Sequence, residues 1–175
     1  MRKTVITIWT VLLLVVSCNE IIPEYPDEPV VDYKGTAFYI GEDPLGNPTL
    51  VSRIIFDFTD GDGNVGLYPL PENTDPDLPD SLKYNFYLQL YDLQGYEFVK
   101  VPDSLGGVLR NRIPPLDKEP TSGTMELDIY YPLIVYDTIF YTFYIVDRAF
   151  NRSNTDTTDI FVLSNIELDS LNQAY

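Results

Sequence analysis

Short runs of Tyr, Phe, Val, Ile and Thr alternate along this chain with clusters of Gly, Pro, Asn and Asp, a texture that predicts strands joined by tight turns. The candidate strands are Lys34 to Ile40, Leu50 to Phe58, Tyr84 to Tyr91, Glu97 to Val101, Thr124 to Tyr130, Thr138 to Val146 and Asp159 to Leu163. No run of comparable length carries the period of a long helix. Between Tyr84 and Tyr91, Phe86, Leu88 and Leu90 share one face, while Asn85, Tyr87 and Gln89 share the other. Between Phe140 and Val146 both faces are apolar, which suits a central strand. These patterns predict an all-β domain, an antiparallel β-sandwich of about seven strands in two packed sheets. The Pro- and Gly-rich stretch from Pro102 to Gly123 reads as a long loop within it.

The start of the chain has another texture. Arg2 and Lys3 precede an apolar run from Val5 to Val16, broken by Thr7 and Thr10, and the run closes on Ser17 and Cys18. The run is too short for a spanning helix, which needs roughly 20 apolar residues. Residues 1–17 therefore read as a signal peptide. Residues 18–32 carry Pro23, Pro26 and Pro29 among acidic neighbours and read as an extended tether. The domain is expected over residues 33–164, with a short tail at 165–175.

Composition narrows the chemistry. The net charge of −16 is a poor match for nucleic acid and for anionic lipid headgroups. Cys18 is the sole cysteine, so no intrachain disulfide forms. The absence of histidine removes the usual general base, the Ser-His-Asp and Cys-His nucleophile systems, and the commonest transition-metal ligand. Asp75 and Asp77 lie in a proline-rich acidic stretch that reads as a solvated loop rather than as a pair of glycosidase carboxylates. No enzymatic activity is expected.

Two motifs remain as candidate sites. Asp60-Gly61-Asp62-Gly63-Asn64 sets oxygen-bearing side chains two apart with glycines between, so a tight loop can turn them inward toward a calcium ion. Asp57, Asp60, Asp62 and Asn64 are the candidate ligands. The loop is not an EF-hand, because Val65 and Pro71 occupy the positions of the glycine and the bidentate glutamate. The alternative is a glycine-rich turn in which Asp and Asn bond their own backbone. The second motif places Ser or Thr after Asp and before an aliphatic residue or Thr, and it recurs at Ser81, Ser104, Thr138, Thr157 and Ser170. The tyrosines, 14 in number, are read first as cross-strand partners on sheet faces and second as stacking surfaces for sugar rings.

Resemblance to known families adds a location. Val15-Val16-Ser17-Cys18 resembles the lipobox of bacterial lipoproteins, which implies a lipid anchor, palmitate included, on Cys18. Tyr144 to Asn154 is similar to the final hairpin of bacterial immunoglobulin-like domains, with Phe150 where that pattern has glycine. Ile55 to Leu67 is similar to an Asp-Gly motif of small lipoproteins of Bacteroidota. The Asp-Ser/Thr tripeptides are similar to the O-glycosylation acceptor of exported proteins in that group. Together these resemblances imply an outer-membrane lipoprotein with an immunoglobulin-like sandwich, more often exposed at the cell surface than facing the periplasm. The expected function is a non-catalytic binding or assembly module whose partner is an envelope protein. The alternative is a glycan-binding surface lipoprotein stabilised by calcium.

Overall fold

Alternation at period two decides which side of each strand leaves water, and the buried rows of this protein follow it. The structure is a computed structural model and describes residues 25–43, 45–71, 77–116 and 121–166. The expected leader, Cys18, Ser170 and most of the tail lie outside the described residues. The described residues form nine strands: β1 (Val30–Glu42), β2 (Pro48–Thr59), β3 (Phe86–Gln94), β4 (Glu97–Lys100), β5 (Val108–Asn111), β6 (Ser122–Tyr131), β7 (Thr138–Ile145), β8 (Asp156–Thr157) and β9 (Phe161–Val162). A single helical turn, α1 (Asp80–Lys83), precedes β3. Among the described residues no helix is long and apolar enough to cross a membrane.

The strands make two sheets. One has the order β1-β2-β6. The other runs β4-β3-β7-β8, with β5 beside β4 on one edge of β3 and β9 beside β8 on the far edge of β7. Every pairing is antiparallel. The result is an all-β, sandwich-like fold.

The two central strands supply the core. Ile54, Phe56 and Phe58 of β2 face Tyr141, Phe143 and Ile145 of β7, with Phe86, Leu88 and Leu90 of β3 beside them, all buried. Phe56, Phe86 and Phe143 form an aromatic cluster with ring centroids 5.2 to 5.8 Å apart. Tyr87 stacks on Tyr144 at 5.0 Å and Tyr91 on Phe140 at 4.7 Å across the half-exposed outer face of the larger sheet. Those are the cross-strand pairs that stabilise an open sheet face.

Three details differ from the sequence reading. The strand count exceeds the expected seven because β5 lies inside the Pro102 to Gly123 stretch, where it pairs with β3 from Phe86↔Asn111 to Gln89↔Val108. β8 is two residues long, too short to show alternation. Side chains complete that edge of β7: Ser153 Oγ accepts from Ile145 N at 3.0 Å and Thr158 Oγ1 from Tyr141 N at 3.0 Å. Finally, β1 begins at Val30, inside the expected tether. Val31 is buried and exchanges hydrogen bonds of 2.8 and 2.9 Å with the Asn154 side chain, so apolar burial draws the end of the tether into the sheet.

Candidate metal centre

The inward row of β2 continues past the strand end to Asp60, and the inward row of β7 continues past Ile145 to Asp147. Each central strand thus delivers a carboxylate to the same end of the sandwich. Asp60 is 0% exposed and Asp147 1%. A carboxylate taken this far out of water needs a compensating partner, because an isolated buried charge is very costly.

The backbone around them is tightly held. Asp60 N donates to Thr121 O at 2.8 Å, and Gly61 N donates to Pro26 O at 2.7 Å. Gly63 adopts a left-handed φ of 67°, which lets its N–H reach back to Asp60 O at 3.2 Å. Val65 N donates to Asp60 Oδ2 at 3.0 Å while the Val65 side chain enters the core. After β7, Asp147 Oδ1 accepts from Asn151 N at 2.7 Å and Oδ2 from Asn151 Nδ2 at 2.9 Å, closing the turn. Asn64 joins the two segments, since its Oδ1 accepts from Arg148 N at 3.0 Å and its Nδ2 donates to Asp62 Oδ2.

Asp60, Asp62 and Asp147 each offer a carboxylate oxygen within 4.8 Å of the other two. Two oxygens on one calcium-sized ion stand at most about 5 Å apart, so the cluster can coordinate a single divalent cation. Asp60 Oδ1 is buried and has no hydrogen-bond partner. Among the described residues no lysine or arginine is ion-paired with any of the three. Burial first, and the Asp62 charge second, push the Asp60 carboxyl up to about 6.

Of the candidate ligands read from sequence, Asp60 and Asp62 come together, with Asn64 beside them. Asp57 does not join them: it accepts from Thr124 Oγ1 at 2.6 Å and pairs with Lys34 Nζ at 3.3 Å on the face of the smaller sheet. Strand parity explains this, because Asp57 points opposite to Phe56 and Phe58. Asp147 was missed by sequence reasoning. Its signal was present as a carboxylate following Tyr141, Phe143 and Ile145 in the inward row.

The Asp-Ser/Thr positions are scattered. Ser81 lies exposed on α1, Ser104 exposed in a 3-10 turn, Thr138 half-buried at the start of β7 and Thr157 exposed on β8. Beside the acidic cluster, an open cleft of about 570 Å³ is lined by Leu67, Tyr68, Leu82, Arg112, Arg148 and Phe150, among others. Arg148 lies 4.9 Å over the Tyr68 ring. Comparison with protein-family models, with curated proteins and with solved structures finds no match to the chain, so the site stands on its own geometry.

Proposed function

We propose that the protein is a non-catalytic, lipid-anchored module at the outer membrane that binds an envelope protein or supports an envelope assembly. The observation that carries this reading is the sole cysteine, Cys18, at the close of an apolar leader. Several acyl chains, each contributing about 0.8 kcal/mol per buried methylene, hold such a protein on a membrane surface. The immunoglobulin-like assignment is supported by the turn after β7. Phe150, standing where the resembling hairpins have glycine, takes the left-handed φ of 67° that a glycine adopts freely.

Protease shaving of intact cells, run beside a Cys18→Ala variant, tests the reading. Loss of the domain from intact cells, with release or mislocalisation of the variant, is the expected result for a surface lipoprotein. Protection until the outer membrane is breached would put the domain in the periplasm. Identical fractionation of wild type and variant overturns the anchor.

A second reading, a glycan-binding surface lipoprotein stabilised by calcium, draws on the cleft with the exposed Tyr68 and on the acidic cluster beside it. Tyrosine faces stack on sugar rings, and hard carboxylate oxygens suit calcium. Flat responses on a glycan array at high protein concentration would remove it.

A further inference from the structure

We propose that Asp60, Asp62 and Asp147 bind one calcium ion that ties the end of β2 in the smaller sheet to the turn after β7 in the larger. The proposal deepens the calcium-stabilised reading and rests on it for the identity of the ion, but it is independent of the membrane anchor.

The independent observation beside the acidic cluster is the state of Asp60. Its side chain is fully buried, one carboxylate oxygen is bound by Val65 N, and Oδ1 has no partner. Nearly all buried polar atoms in folded proteins are hydrogen-bonded, so an orphaned carboxylate oxygen beside two further carboxylates marks a place where a cation completes the structure. Asp147 is equally buried, yet both its oxygens accept from Asn151, which fixes the carboxylate in place and leaves it lone pairs to share. Asp62 is exposed and closes the site from the solvent side.

Ion size and hydration favour calcium over magnesium. Magnesium demands near-octahedral geometry and gives up water reluctantly, whereas calcium accepts irregular sets of six to eight oxygens. Two of the three carboxylates here are buried and must meet a largely dehydrated ion. Loop carbonyls and water would complete an irregular set.

The mechanical consequence follows from connectivity. Neither Asp60 nor Asp147 belongs to a strand, and they come from different sheets. An ion bound by both is a cross-link between the sheets at one end of the sandwich. Tyr25 and Pro26 lie against Gly61 of the same loop, so these two residues before β1 are held at that end too.

Isothermal titration of the purified domain, stripped with chelator, with calcium chloride and separately with magnesium chloride tests the inference. Expected are one site with a dissociation constant between about 10⁻⁶ and 10⁻³ M, and magnesium at least tenfold weaker. Asp62→Asn, at an exposed position that leaves folding intact, should weaken calcium at least tenfold, and Asp147→Asn should do the same where circular dichroism shows it folded. Asp57→Asn should leave the affinity unchanged. No binding by the wild type overturns both the inference and the calcium-stabilised reading. Calcium binding that is insensitive to Asp62→Asn, or that is lost in Asp57→Asn, overturns the ligand set alone. Magnesium binding as tight as calcium overturns the identity of the ion.

Discussion

Phe150 is the one described non-glycine residue at positive φ. A bulky side chain in the left-handed region costs about 1–3 kcal/mol, and a strained conformation persists only where its surroundings enforce it. Here Asp147 enforces it, with Phe150 N bonded to Asp147 O at 3.2 Å and Asn151 held by both carboxylate oxygens. Phe150→Gly should therefore stabilise the protein by about 1 kcal/mol in urea unfolding, because a ring that is 58% exposed packs too little to offset the relief of strain. On the outer face of the smaller sheet, Arg53 grips Asp128 with two hydrogen bonds of 2.7 and 2.9 Å, and Tyr39 donates to the same carboxylate at 2.7 Å. The Arg53 hydrogen bonds hold the Asp128 carboxyl below its ordinary value of 3.8. A carboxylate held low contributes stability above that ordinary value and loses it as pH falls through the folded value. Asp128→Asn should thus cost about 0.5–1 kcal/mol at neutral pH, the range that solvent screening leaves to such a pair, and the deficit should shrink in acid melts. The place of Asp128 on a strand was legible from the run of strand-forming residues, and that of Phe150 in a turn from the resemblance to a hairpin. The Phe150 backbone angle was not, because only the surrounding hydrogen bonds select it.

At the scale of elements, the inward rows of β2, β3 and β7 carry the fold. Phe143 lies at their centre, 0% exposed and in ring contact with Phe56 and Phe86. Phe143→Ala should cost about 3–5 kcal/mol in equilibrium unfolding, with transfer and cavity terms adding. Long alternating strands were legible because half-burial writes a period of two into the sequence. β5 and β8 were not: β5 lies in a Pro- and Gly-rich stretch that reads as loop, β8 is an Asp-Thr pair with no apolar run, and each is defined by its partner. The same reasoning applies to the loop after β2. Glycines at 61 and 63 announced a tight turn, but what lies against it comes from distant sequence. A Cβ at Gly61 would stand 2.2 Å from Tyr25 O and 2.7 Å from Pro26 O. Gly61→Ala should destabilise the protein by about 1–3 kcal/mol and speed amide exchange at residue 61, since the segment before β1 must move off the loop.

The described residues form an acidic two-sheet fold in which β2 and β7 are each followed, in the row that continues their buried face, by an aspartate. The carboxylates of the Asp-Gly loop were legible as a candidate site from their spacing. The third ligand was not, because Asp147 meets them only once the two sheets face each other. That meeting makes occupancy of the cluster a property of the folded state, so an ion bound there stabilises by mass action. The most direct test of this account is the thermal midpoint of the chelator-stripped domain measured with excess calcium and with excess chelator. At calcium about 100-fold above its dissociation constant, the gain is about 2.7 kcal/mol, which for a domain of this size raises the midpoint by roughly 5–10 °C. A midpoint that is the same in calcium and in chelator would contradict the account, leaving the buried Asp60 carboxylate without the partner assigned to it.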